Sequence, residues 1–277
     1  MIEAIFQYEF LQNAFLTGII IGVIAPLLGA FIVVRRLSLI ADALSHVTLA
    51  GIAAGLYFSQ TFAFMSWVNP LYTGMVFSVG GSIFIERLRM VYKHYQELAI
   101  PIILSGGIGI SVIFISLADG FNTDLFSYLF GSVSAVSRAD LMAISAISII
   151  VIATVILLYK ELFLLSFDED HAKASGLPAK TIHFIFIVLV ALVIAASMRI
   201  IGVLLVSALM TLPVAASMRL AKGFKQTIFF SVLFGEIAVI AGLFSAFYLD
   251  LAPGGTIVVS SIIILLAVIS IKRVGKR

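Results

Sequence analysis

FLQNAFLTGIIIGVIAPLLGAFIVV, residues 10–34, contains no Asp, Glu, Lys, Arg or His. A helix rises about 1.5 Å per residue, so this run reaches roughly 37 Å. The hydrocarbon core of a bilayer is about 30 Å thick. A secretory signal has a positive start and an apolar stretch of about 7–15 residues. Here Met1–Glu9 holds two acids and no Lys or Arg. The stretch is therefore expected to remain in the protein and to cross a membrane.

Similar apolar runs follow at 37–58, 62–85, 98–118, 140–159, 182–198, 200–218, 227–249 and 256–271. The chain is 62% hydrophobic and 11% charged, with a mean hydropathy of +1.22. A soluble domain is about 25% charged, and one core stops growing near this length. Most of the surface must face lipid. The fold class is all-α, a polytopic membrane protein of eight to nine transmembrane helices, with one domain over 1–277. The two runs around Arg199 are short, and one of them could be a half-helix. With no cysteine, disulfides and thiolate metal sites are excluded.

Charge sets the orientation. With the N-terminus outside, Arg35, Arg36, Arg87, Arg89, Lys93, Lys160, Lys173, Lys180, Arg219, Lys222, Lys225, Lys272, Arg273, Lys276 and Arg277 fall inside. Only Arg138 and Arg199 fall outside, where Asp119, Asp124 and Asp250 also lie. This is the positive-inside asymmetry. It favours nine crossings, with the C-terminus cytoplasmic. Trp67 and the Tyr residues near run ends read as interfacial anchors.

An ionisable group within a span costs about 2.5–3.5 kcal/mol on insertion scales. In RRLSLIADALSHVTLAGIAAG, residues 35–55, Asp42 and His46 stand at i and i+4, on one helix face. A carboxylate and an imidazole suit Zn or Mn. Two ligands do not fill a shell, but a two-fold dimer would bring two more. The face continues through the small Ala50 and Ala53, which leave room for an ion. Gly51 and Gly55 beside it form a GxxxG suited to close helix packing. The same pair equally fits two buried groups hydrogen-bonded to each other. Its depth depends on where the helix begins.

Glu236, in FFSVLFGEIAVIAGLF, is the other acid well inside a run. It reads first as a structural carboxyl, and second as a pathway group. His94, His171 and His183 fall in or beside inner loops and read as solvated. In the inner loop 168–178, DEDHAKASGLP, acids stand where a helix dipole favours them, and Gly176 and Pro178 close the segment. That is either an ordinary capped loop helix or a short surface helix that touches a partner. No P-loop, no HExxH and no Ser/His/Asp arrangement is present. No basic surface is interleaved with aromatics, so nucleic acid is not an expected partner. The chain reads as a path and not as an enzyme.

Three stretches together resemble the integral membrane permease of ATP-binding-cassette importers for zinc and manganese. They are VVRRLSLIADALSHVTLAGIAAG (33–55), RIIGVLLVSALMTLPVAAS (199–217) and FYLDLAPGGTIVV (247–259). The resemblance runs through essentially the whole chain. The last two stretches are also similar to the related vitamin and metal-chelate permeases. The resemblance implies a type II importer-like fold, a homodimer, a pair of separate cytoplasmic ATPases and an extracytoplasmic metal-binding protein. It implies that Asp42 and His46 coordinate the metal. It implies that a short helix at 168–176, with Asp168, Glu169, Ala172, Ala174 and Gly176, docks on the ATPase. The chain itself would bind no cofactor, since ATP belongs to the partner. The cargo would be Zn2+ or Mn2+, and the opening stretch IEAIFQYEFLQNAFLTGIIIG leans towards zinc.

Overall fold

The computed structural model describes residues 7–65, 67–118, 120 and 123–274. Asp119, Lys276, Arg277 and the first residues of the opening stretch lie outside them, as do the side chains of Asp124 and Arg273. The described residues form twelve α-helices: α1 (Glu9–Val34), α2 (Leu39–Thr61), α3 (Pro70–Val91), α4 (Ala99–Leu117), α5 (Thr123–Phe130), α6 (Arg138–Leu157), α7 (Tyr159–Phe167), α8 (Glu169–Ala174), α9 (Ala179–Ile201), α10 (Val206–Leu220), α11 (Phe224–Leu249) and α12 (Pro253–Val274). Single 3-10 turns stand at Ala63–Met65 and Gln96–Leu98.

Seven helices are long and apolar enough to cross a membrane. Two more complete the set. α3 has the length, but Glu86, Arg87 and Arg89 lie in its last turns. α10 is the shorter apolar helix expected from the paired short runs. Leu205, just before α10, packs at Gly254 near the start of α12. The carbonyl of Arg219, near the end of α10, accepts from Lys272 near the end of α12. α10 therefore runs beside α12 from one end of the molecule to the other. Nine of the described helices pass between the two ends.

Several boundaries differ from those expected. The run 62–85 becomes helical only at Pro70, because Asn69 caps α3 by accepting from the Leu71 N–H and Pro70 takes the first turn. The segment between 118 and 140 is not all loop, since it holds α5. The inner loop 160–181 holds α7 and α8. The runs 182–198 and 200–218 are one full helix, α9, and the shorter α10, separated at Gly202. Gly202 has φ +86, and a Cβ there would strike the backbone at Leu129 and Phe130. Only glycine tolerates both conditions.

α1, α2 and α9 form the centre, while α4, α6 and α12 are mostly uncovered. Their exposed side chains are apolar, among them Ile113, Ile149, Ile156 and Ile263. In water such a surface would be an aggregation hazard; in lipid it is the expected outer face. Trp67, 83% exposed, lies between the 3-10 turn at Ala63–Met65 and α3, as an interfacial anchor would.

Small residues let the backbones meet. The Gly51/Gly55 pair does pack closely. A Cβ at Gly51 would stand 2.5 Å from the Cβ of Phe77 on α3, and Gly55 lies against Thr73. Gly107 of α4 sits on the backbone of His46 and Val47.

α1 ends in a Schellman closure. The Arg36 N–H donates to the Val33 carbonyl and the Leu37 N–H to the Ile32 carbonyl. The left-handed position is held by Arg36, at φ +58, where glycine is usual. Arg36 is exposed and left-handed backbone costs a non-glycine residue about 1–2 kcal/mol. Arg36→Gly is therefore expected to raise thermal stability by about 1 kcal/mol, read as a higher melting temperature of the purified chain. An unchanged or lower melting temperature would show that the Arg36 side chain offsets the strain.

Candidate metal-transfer site

Asp42 and His46 lie on α2, one turn apart, and both are half-buried. α2 begins at Leu39, so Asp42 is in its first turn. A carboxylate is favoured there by the helix dipole. The pair thus lies towards the end of the molecule that holds Arg35, not at mid-span. Asp42 opens onto a cavity of about 440 Å³ lined also by Ser38, Leu39, Ser207, Thr211 and Ala215. Carboxylate and hydroxyl oxygens there come from α2, α10 and the turn before α2. His46 stands one turn further along α2. Among the described residues no three His, Asp or Glu side chains converge to hold a metal. On this face of α2 one chain presents one carboxylate and one imidazole.

Two expectations fail beside this pair. Ala50 and Ala53 are each only 1% exposed, so the chain closes that part of the face itself. Ala50 instead borders an apolar hollow with Gly81 and Gly107. His183 is not a solvated loop residue. It is 7% exposed on α9, and Arg89 donates to its Nε2 at 2.6 Å. With Arg89 as donor, that nitrogen is the acceptor of a neutral ring. Glu86 Oε2 lies 3.2 Å from the same nitrogen and 3.6 Å from Arg89.

Arg35 completes this cluster, with its guanidinium over the Phe186 ring at 5.7 Å. Burial pulls the Arg35 guanidinium down to about 10, against the opposing field of Glu169. It remains charged at neutral pH. The cluster joins the end of α1, the end of α3 and the start of α9. The sequence signal for it was present: Glu86 and Arg89 are i and i+3, facing the same way as a helix ends.

α8 has the form expected of 168–176. Asp168 is its N-cap, accepting from the His171 N–H at 2.8 Å. At its other end the Gly176 N–H donates to the Lys173 carbonyl and the Leu177 N–H to the Ala172 carbonyl. Gly176, at φ +81, is the left-handed closure. Asp168, Glu169, Ala174 and Gly176 are exposed, but Ala172 is fully buried and turned into the chain. Burial opposes the charge of Glu169. Its hydrogen bond with Lys173 and the fields of Lys173 and Arg35 outweigh that, so the carboxyl is held below its ordinary range. The Glu169–Lys173 pair, at 2.9 Å, is half exposed and contributes little by itself. Glu169 matters more as a charge on α8 that is felt at Arg35, the corner leading into α2.

The opposite end carries a second cluster. Asp140 is 2% exposed. It accepts from the Ser137 N–H at 2.9 Å and the Ser137 hydroxyl at 2.6 Å, closing a capping box at the start of α6. It also pairs with Arg199 of α9 and accepts from Asn69 Nδ2 at 3.4 Å. Arg199 lies over the Tyr128 ring of α5 at 5.6 Å. Arg138 pairs with Glu9 at 2.6 Å. Both cations expected outside are thus neutralised by acids. Asp140 escaped notice in the sequence because it falls at the boundary of a run.

The model of the ABC 3 transport family matches residues 7–272. The chain belongs to the ABC 3 transport family. As a member it is a membrane permease and not a catalytic subunit. A probable metal transport system membrane protein of Treponema pallidum is 36% identical over 98% of each chain. The manganese transport system membrane protein MntC of Listeria monocytogenes is 32% identical, covering 95% of this chain and 91% of its own. The manganese import system permease protein ScaB of Streptococcus gordonii is 33% identical over 96% of this chain and 92% of its own. A solved structure, PsaBC from Streptococcus pneumoniae in complex with Fab, superposes with a TM-score of 0.82 at 31% identity, over 96% of this ABC 3 permease and 93% of that chain. A putative metal-chelate type ABC transporter in an inward-facing conformation shares the fold at 16% identity, with a TM-score of 0.69.

Proposed function

We propose that this permease carries a divalent first-row transition metal across the cell membrane, handing it through Asp42 and His46. The observation that carries this is the half-shell on α2, with one carboxylate and one imidazole on one face. An open shell releases its ion, whereas a closed four-ligand shell is structural. A second copy related by a two-fold axis completes the set, which makes the functional unit a homodimer. Cytoplasmic ATPases bind at the Arg35 end through α8, and an extracytoplasmic metal-binding protein delivers at the Asp140 end. The N-terminus is then outside and the C-terminus cytoplasmic, because the unpaired cations gather at the Arg35 end.

Manganese is the first cargo reading, since the relatives whose names state a metal state manganese. Zinc is the second, favoured by the histidine and by the opening stretch. The test is ATP-driven uptake of radiolabelled manganese and zinc into vesicles that hold the permease with its ATPase and binding protein. Uptake of one metal names the cargo. Failure of both metals, with an organic chelate taken up instead, would overturn the reading.

His46 binds metal only when neutral and Asp42 only when ionised, so protons compete with the ion. Uptake is expected to fall as the medium is acidified. Uptake that rises on acidification would indicate proton-coupled entry instead.

A further inference from the structure

Pro26 lies inside α1. Proline has no N–H, so the carbonyl four residues earlier, that of Gly22, loses its helical donor. No water replaces it inside a bilayer. The structure shows where this carbonyl points. A Cβ on Gly235 of α11 would stand 2.8 Å from the Gly22 carbonyl oxygen and press on the Pro26 ring. The next residue of α11 is Glu236. Its Oε1 is buried without a hydrogen-bond partner, and lies 2.7 Å from where a Cβ on Gly22 would be. Gly22 and Glu236 both stand near the middle of 26-residue helices, far from either membrane face.

The helices packed along α11 are α1, α10 and α12, while Phe163 and Phe167 of α7 touch it at its first residue, Phe224. The charged residues of α1, α10 and α12 with described side chains are Glu9, Arg219 and Lys272, all near helix ends. α11 itself has only Lys225 besides Glu236, in its first turn. None of these faces Glu236, so no cation stabilises an ionised carboxylate there. An ionised carboxylate would also bring its lone pairs towards those of the orphaned carbonyl. A single proton between the two oxygens removes both penalties.

We propose that Glu236 keeps its proton within the membrane and donates it to the Gly22 carbonyl that Pro26 leaves without a donor. The carboxylic acid repairs the break in α1 from the neighbouring helix. It ties α1 to α11 at mid-membrane, so the two move as one body. Glycines at 22 and 235 are required because a side chain at either position would block the approach. The inference is independent of which metal is carried.

The test uses the full chain purified into lipid nanodiscs, with melting temperature and infrared absorption as readouts. Glu236→Gln keeps a donor of the same shape and is expected to melt within about 1 °C of wild type. Glu236→Ala leaves the carbonyl unsatisfied and is expected to melt about 4 °C lower. Pro26→Ala restores the helical N–H, so adding Glu236→Ala to Pro26→Ala should cost less than half of that shift. A protonated-carboxyl band present in wild type at neutral pH should vanish in Glu236→Gln. The proposal is overturned if Glu236→Gln is as damaged as Glu236→Ala, if the two substitutions are additive, or if the band is the same in both proteins.

Discussion

Replacing His46 with Ala is expected to lower ATP-driven metal uptake by more than about 100-fold while the assembled complex still hydrolyses ATP. Asp42→Asn should do the same. Partners that merely orient metal ligands are worth about 10–100-fold, and in the proposed function these two residues are the ligands themselves. In the proposed dimer each chain supplies one imidazole and one carboxylate from this pair, so His46→Ala removes every imidazole of the set and Asp42→Asn every carboxylate. Asn keeps the shape of Asp and removes the charge, which makes Asp42→Asn a test of chemistry and not of packing. His46→Asp separates the two metals. Manganese accepts carboxylate with fewer imidazoles, so manganese uptake should survive better than zinc uptake. Ser207→Ala and Thr211→Ala, on the far wall of the cavity, should have small effects. Radiolabel uptake beside ATP hydrolysis checks all five. Normal uptake in His46→Ala would return Asp42 and His46 to a structural pair.

The second large effect is expected at the opposite end. Asp140→Ala removes a nearly fully buried carboxylate that holds Arg199, Ser137 and Asn69. It removes the Asp140 half of the capping box and leaves the mostly buried Arg199 guanidinium without its acid. Breaking a buried pair in this way costs about 3–5 kcal/mol. The Arg199 carbonyl also accepts from the Ser132 N–H, so α5, α6 and α9 should loosen together at this end. Asp140→Ala combined with Arg199→Met should recover part of the loss, because the unpaired charge is gone while much of the volume stays. Melting of the purified protein and its yield from membranes are the measurements. Equal melting of wild type and Asp140→Ala would show that the pair contributes nothing net.

Much of the fold was legible because the bilayer imposes it. Runs such as 10–34 and 227–249 have one outcome in hydrocarbon, where every backbone group must be satisfied within the segment. The details that were missed depend on single polar or conformational residues. Asn69 and Pro70 moved the start of α3 by eight residues from 62, since a cap outweighs the hydropathy of the preceding stretch. The break expected at Arg199 between the two short runs falls instead at Gly202, whose positive φ and close approach to Leu129 and Phe130 end α9.

The site was half legible. A helical spacing of four put Asp42 and His46 on one face, and the start of α2 then fixed their depth. The alanines beyond them could not be judged from spacing, since a small residue serves a path and a tight helix contact equally well. At Ala50 and Ala53 the contact prevailed. His183 was misjudged for a related reason. It is only four residues into α9, which in sequence looks like a loop edge. Its partners Glu86 and Arg89 are nearly 100 residues away, and only the packing of α3 on α9 brings them together. The same holds for Asp140 and Arg199, and for Glu236 beside Gly22. Long-range polar partners are set by tertiary packing, which local periodicity does not encode.

The most direct measurement is X-ray absorption at the metal edge, on the purified complex loaded with one manganese or zinc ion per permease dimer. Wild type should show an oxygen and nitrogen shell with the outer-shell pattern of imidazole. His46→Ala should lose that pattern or fail to retain the ion. An identical spectrum and occupancy in wild type and His46→Ala would contradict the assignment and place the ion elsewhere in the chain.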